Sequence, residues 1–351
     1  MKKTLIHLCL AGLSAAALAQ SAPPPPAPQA LDQPGLISAK AKNSAMLAIA
    51  RAGERLVAAG ERGIILYSDD HGKNWTQAKT PTSVTLTALR FIDDKRGWTI
   101  GHMGIVLNTA DGGTTWRKQF DGIQAAQLAL ETAQASGNEK AIHQATYLVT
   151  DGPDKPFFDA SIDKSGHGFI VGAYNLIFRT TDGGLHWQDW SAHVDNPKNF
   201  HLYGIARTHD ALTLVGEQGL ILRSTDGGQH FAAQSSPYKG SWFGALGTAK
   251  GLLVYGLRGN AFLLPSNGGE WQQMQTNTTA AISGASELAD GRLLLASQSG
   301  ELLLEQTGKK FSPLAMRSSV PLTAVLEDSD RNLVAASLRG VLGIPTPAAN
   351  N

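Results

Sequence analysis

Short runs of alternating apolar and polar residues follow one another along most of this chain, separated by glycine-rich turns. Met46-Leu-Ala-Ile-Ala-Arg51, Leu56–Ala59 and Ile64–Tyr67 lead to Trp75. Thr87–Phe91, Trp98–Gly101, Ile105–Asn108 and Trp116–Gln119 repeat the series. Period-two alternation over four to six residues predicts half-buried β-strands. A Gly-x-x-Gly hairpin signal, or a near copy, recurs between strands: Gly60–Gly63, Gly101–Gly104, Gly172–Asn175, Gly216–Gly219, Gly256–Gly259, Ser297–Gly300 and Ser337–Gly340. The last residues of these signals are spaced by 41, 71, 44, 40, 41 and 40. A period near 40 with several short strands is the signature of propeller blades, and the step of 71 is one repeat plus about 30 inserted residues. The expected fold is all-β: a seven-bladed β-propeller.

A second recurring stretch follows each of the first four hairpins. It reads Ser68-Asp-Asp70-His-Gly72-Lys-Asn-Trp75, Thr109-Ala-Asp111-Gly-Gly113-Thr-Thr-Trp116, Thr180-Thr-Asp182-Gly-Gly184-Leu-His-Trp187 and Ser224-Thr-Asp226-Gly-Gly228-Gln-His-Phe231. The pattern, Ser/Thr-x-Asp-x-Gly-x-x-aromatic, resembles the Asp-box or BNR repeat. The carboxylate and hydroxyl accept hydrogen bonds from turn N–H groups, the glycine permits positive φ, and the aromatic packs under the turn. Leu264–Trp271 and Gln306–Phe311 keep the spacing without the aspartate. Asp70, Asp111, Asp182 and Asp226 are therefore read as structural turn locks.

The insertion reads as a helical hairpin over about 121–150, within a longer interruption at 121–156 before blade three. Ala125, Leu128, Ala129, Thr132 and Ala133 follow helical spacing, Asp121 and Gln124 form a capping-box pattern, and Gly137 ends the helix. Asn138 caps a second helix with a stripe of Ile142, Ala145, Thr146 and Val149. Such a long insertion is either a stabilising lid or a functional element. The seventh repeat contains only three strands, Leu322–Leu326, Leu333–Ala336 and Val341–Ile344. Leu36–Lys40 is expected to supply the fourth and close the ring, making 36–345 the propeller and 346–351 a tail.

Residues 1–19 have the pattern of a signal peptide: Lys2 and Lys3, an apolar run from Leu5 to Ala17, and a small-x-small site at Ala17–Ala19. A periplasmic or secreted location is the expectation. Residues 20–35, rich in Pro and Ala, are expected to form a disordered leader. Cys9 is the single cysteine and lies in the leader, so a mature chain has no thiol chemistry. Cleavage after Ala19 would leave 28 basic against 29 acidic residues, a balance without general attraction to nucleic acid or anionic lipid.

In a four-stranded blade, the 2–3 hairpins and the 4–1 connections share one face. This face would carry Arg62, His102, Tyr174, Arg258 and Arg339 at hairpin tips, with Arg317, Lys155, Phe157, Phe158, His201 and Trp242 on connections. The arginines suit a carboxylate, phosphate or acidic peptide, and exposed aromatics suit a protein partner. The alternative is a glycosidase-like enzyme or lectin using the channel mouth. Glu61 and Glu217 are its nearest carboxylates, but they belong to blades one and four, too far apart for a glycosidase pair. The ten histidines form no metal motif, and the glycine-rich turns open no helix that could cradle phosphate.

The leader, the seven repeats with their Asp-boxes and the missing catalytic set together resemble the photosystem II assembly and stability factor family. The resemblance spans about residues 36–345, and the insertion is closer to non-photosynthetic bacterial members. It implies a non-enzymatic propeller that binds a protein partner through a basic patch, here Arg62, Arg258, Arg317 and Arg339. The partner class implied is an envelope membrane complex or transporter. No cofactor or metal is expected, and the chain is expected to be a monomer, peripheral to a membrane at most.

Overall fold

The computed structural model describes residues 27–344. The leader 1–19, residues 20–26 and the tail 346–351 lie outside the described residues. Seven antiparallel sheets form, six of four strands and one of three. Blade one comprises Met46–Ala52, Arg55–Gly60, Ile65–Ser68 and Thr76–Gln77, joined in chain order from the axis outwards. Five further blades repeat this order. The seventh contains Leu322–Glu327, Leu333–Ser337 and Gly340–Ile344.

One register recurs in all seven innermost strands. The first residue pairs with the last residue of the second strand: Met46 with Gly60, Leu86 with Gly101, Phe157 with Gly172, Leu202 with Gly216, Trp242 with Gly256, Ile282 with Ser297 and Leu322 with Ser337. These seven side chains are all fully buried between blades. Burying such side chains contributes about 1.5–3 kcal/mol each. The pairing then skips one residue, a β-bulge that turns the extra side chain toward the axis.

The glycines of the hairpin signal answer two different demands. In blades one to five a Cβ on the first glycine would press on the carbonyl just before the innermost strand; at Gly60 it would lie 2.0 Å from the Ala45 oxygen. The last position is left-handed in every blade, and in blade three Asn175 supplies it at φ 64°, a conformation asparagine tolerates better than most residues.

The Asp-box turns form as expected. In blade one Ser68 Oγ donates to Asp70 Oδ1 at 2.8 Å and accepts the Gly72 N–H at 2.9 Å, while Asp70 Oδ1 accepts the Asn74 N–H at 2.8 Å. Trp75 Nε1 donates to the Gly72 carbonyl at 3.0 Å. The hydroxyl and carboxylate bonds recur at Asp111, Asp182 and Asp226, and the indole bond recurs at Trp116.

The inserted helices are α1, Gly122–Ser136, and α2, Glu139–Asp151. Asp121 Oδ1 caps the Ile123 and Gln124 N–H groups, and the Gln124 side chain accepts the Asp121 N–H. Gly137 ends α1 at φ 67°, and Asn138 caps α2. Ala129 and Ala133 pack on Ala145, whereas Thr146, expected on the apolar stripe, is exposed and donates to the Ile142 carbonyl.

Two expectations for the N-terminal segment are corrected. Leu36–Lys40 is not a strand of blade seven. Leu36 and Ile37 are 77% and 56% exposed, and Leu36 and Ser38 make hydrogen bonds to Gln77 of blade one's outer strand. The leader is also ordered where described: Gln29–Leu31 is a 3-10 turn that buries Leu31 in the core between blades one and two. The Ala30 carbonyl accepts the Ser83 N–H and the Thr82 hydroxyl. The sequence alternation was too short to separate a strand from an extended strap, and buried contacts decided the path.

Candidate functional site

The hairpin tips and the 4–1 connections do meet on one face. A Cβ on Gly63 would strike the Thr82 carbonyl; the corresponding contacts are Gly104 with Gly122, Gly219 with Tyr238, Gly259 with Thr278 and Gly300 with Ser318. Arg62, Arg258 and Arg339 each precede the left-handed glycine of a tip and are exposed. Arg317 is exposed one residue before Ser318. None of these four arginines has an ion-pair partner among the described residues. By ring order Arg62 and Arg339 are on adjacent blades, Arg317 lies at the end of blade six, and Arg258 is on blade five.

His102 is exposed on the tip of blade two, and Tyr174 on that of blade three is 55% exposed. Lys155 also reaches this face, 5.7 Å above the Tyr174 ring, but Asp151 and Asp154 neutralise it. Phe157 and Trp242 do not belong to the surface. Both are the fully buried first residues of innermost strands, and their assignment to a partner site is corrected. Their neighbours Phe158 and Phe243 are the bulged residues that the register turns to the channel.

The bulged tier of all seven blades reads Leu47, Thr87, Phe158, Tyr203, Phe243, Ser283 and Thr323. All are half-buried and all line the central channel. Three hydroxyls in this tier tie one blade to the next: Thr87 donates to the Phe157 carbonyl at 2.7 Å, Ser283 to Leu322 at 2.6 Å and Thr323 to Met46 at 2.7 Å. Blades three to five carry aromatics instead. Ring centroids of Phe158 and Tyr203 are 5.1 Å apart, those of Tyr203 and Phe243 5.9 Å, and His201 connects this wall to Tyr174 at 4.5 Å. Tyr203 was not singled out from the sequence. Its signal is its place one residue after the core position of the repeat.

The carboxylates of the enzymatic alternative have structural partners. Glu61 Oε1 accepts the Ala45 N–H at 3.1 Å, and Glu217 Oε2 accepts the His201 N–H at 2.8 Å. Each fastens a hairpin to the start of the innermost strand in its own blade. A further carboxylate on this face, Asp154 in the loop before blade three, is held by Lys155. Among the described residues no group of three or more His, Cys, Asp or Glu side chains is placed to hold a metal ion, and no helix is long and apolar enough to cross a membrane.

The profile of the family described as "Photosynthesis system II assembly factor YCF48" matches residues 70–155 and 147–319. The chain belongs to this family. A YCF48-family relative, "Photosystem II assembly protein Ycf48" of Thermosynechococcus vestitus, is 25% identical over 129 residues, covering 32% of this chain and 37% of that protein. The match thus spans little more than a third of the relative's length. The structure described as "YCF48 bound to D1 peptide" aligns over 90% of this chain and 99% of its own, with a TM-score of 0.64 at 15% identity. Virginiamycin B lyase from Staphylococcus aureus aligns over 89% of this chain and 97% of its own, with a TM-score of 0.66 at 13% identity. At such identities both structures establish the propeller fold, and the lyase carries no inference of activity.

Proposed function

We propose that this chain is a non-catalytic assembly or scaffold factor that binds a protein partner through the hairpin-tip face. The carrying observation is the set of exposed arginines, Arg62, Arg258, Arg317 and Arg339, presented on one face without ion-pair partners among the described residues. Unpaired guanidinium groups recognise carboxylates through charge-assisted, bidentate hydrogen bonds and steer acidic partners electrostatically. Membership of a family described as an assembly factor, and a relative's structure described with a bound peptide, support the same reading. The partner we propose is an acidic segment of an envelope membrane complex or transporter subunit, met in the periplasm by a monomeric propeller.

Charge reversal tests this reading. The full-length Arg62→Glu/Arg258→Glu/Arg339→Glu protein is expected to melt like the parent, because tip residues contribute little to stability. It should lose the partners that co-purify with the tagged parent from native envelopes after crosslinking. Undiminished recovery of those partners would remove this face from consideration. Recovery of the tagged parent from the cytoplasm alone would remove the periplasmic location.

A further inference from the structure

We propose that the central channel is a binding site for a small amphipathic carboxylate, whose acid group sits on Arg90 and whose aromatic or alicyclic ring lies against Phe158, Tyr203 and Phe243. The seven innermost strands enclose a cavity of about 550 Å³, within the range of small-molecule sites. Its titratable lining consists of Arg51, Arg90 and Arg207, one acid, Asp159, and the phenols Tyr203 and Tyr255. The excess of guanidinium selects an anion.

Arg90 is the cation built into this cavity. Its Nη2 donates to Asp159 Oδ1 at 2.5 Å and its Nη1 to the Leu89 carbonyl at 3.0 Å, yet its side chain remains 45% exposed. Asp159 is buried and held by the Ala160 and Ile205 N–H groups at 2.7 and 3.1 Å. A carboxylate fixed in this way orients the guanidinium and leaves its remaining donors for a ligand. Arg51 and Arg207 are engaged elsewhere: Arg51 Nε donates to the Gly53 carbonyl, and Arg207 lies 3.7 Å from Asp163.

The apolar end follows from the bulged tier. Phe158, Tyr203 and Phe243 make a continuous aromatic wall on blades three to five, while the hydroxyls of Thr87, Ser283 and Thr323 are already bonded to neighbouring strands. Arg90 stands three register positions beyond Thr87 on its strand, and its guanidinium reaches back to Asp159, the residue after Phe158. A ligand that carries a ring beside its carboxylate can meet both this guanidinium and the aromatic wall, which a compact anion such as acetate cannot. Tyr255 also reaches the cavity, because a Cβ on Gly244 would lie 2.3 Å from its hydroxyl. Burial, with the nearby charge of Asp159, pushes the Tyr255 phenol up to about 12. The hydroxyl is therefore a protonated donor at neutral pH.

The test is calorimetric titration of the full chain with 3-phenylpropionate and indole-3-propionate, with acetate as the control. Saturable one-to-one binding of the two ring acids and none of acetate is expected. Arg90→Gln should abolish binding; Arg90→Lys, which preserves a charge opposite Asp159, should weaken it about ten-fold through loss of the fork. Phe158→Ala/Phe243→Ala should weaken it by a similar factor, with each variant's melting curve confirming a folded chain. The Arg62→Glu/Arg258→Glu/Arg339→Glu protein should bind as the parent does, so failure of the partner face and failure of this site are distinguishable. No saturable binding of either ring acid, or parental affinity in both the folded Arg90→Lys and the folded double alanine proteins, would overturn the proposal.

Discussion

Thr323 Oγ1 donates to the Met46 carbonyl at 2.7 Å across 277 residues of sequence. This bond joins the innermost strand of the last blade to that of the first. Blade seven has three strands among the described residues, and residues 27–45 add none to it. The segment enters at the level of the loops instead. A Cβ on Gly340, at the tip of blade seven, would strike the Lys42 carbonyl, so Ala41–Asn43 occupies the place that 4–1 connections take beneath other tips. On the opposite face His71 of the first Asp-box lies 3.3 and 3.2 Å from Asp328 and Asp330 of blade seven. These contacts flank an apolar core in which Met46, Ile49 and Leu56 of blade one pack with Leu326, Val334 and Ala336 of blade seven.

Thr323→Val keeps the shape and deletes the bond. It should cost about 1 kcal/mol, and lower the melting temperature by about 1–3 °C in a chain of this size. Thr87→Val, which removes the equivalent tie to the Phe157 carbonyl, should lower it similarly. Differential scanning calorimetry of both variants decides; unchanged melting would show that the ties contribute nothing to closure.

Leu31 lies outside the repeats, yet it is buried between blades one and two. Leu31→Ala should destabilise by about 2–4 kcal/mol. Chemical denaturation would reveal it as a lower midpoint at constant slope. A midpoint equal to the parent's would mean that the turn does not dock in solution.

The Asp-box carboxylates link stability to acid. The backbone N–H of Asn74, then its side chain and Ser68, hold Asp70 down to about 2; the backbone N–H of His186 is foremost in holding Asp182 to about 2. A depressed carboxyl pKa means stability that is fully present above the unfolded value near 4 and is lost as pH falls through the folded value. The melting temperature should therefore decline between about pH 4 and pH 2. Asp182→Asn removes one titrating group, so its melting temperature should be lower at pH 7 and fall less steeply over that window. A slope identical to the parent's would rule out Asp182 as a source of the acid sensitivity.

Asp121 caps α1 and also accepts from Lys118 at 3.1 Å. Asp121→Ala should cost the insertion about 1 kcal/mol. Amide exchange should quicken in 122–151 while the central strands of the blades stay protected. Uniform loss of protection would mean that the helices and ring unfold as one unit.

Much of this architecture is local and could be read directly. The Asp-box, the capping box and the left-handed tip glycine each satisfy hydrogen bonds or φ demands within a few residues, so their spelling reveals their structure and period. The arginine tips followed from that period. Phe157 and Trp242 read as connection residues, but each opens an innermost strand and points into the core, and a bulge turns the next residue, Phe158 or Phe243, to the axis. The bulge is visible only in the pairing with the second strand.

By itself the chain's residue order settled the number of blades, the turns between their strands and the position of the helical insertion, since each depends on contacts made by near neighbours. Tertiary structure alone decided which aromatic of each Phe-Phe or Trp-Phe pair faces the axis, where Arg90 meets Asp159, and how the two ends of the chain meet. Those outcomes depend on groups tens to hundreds of residues apart, whose packing and hydrogen bonding no local pattern encodes.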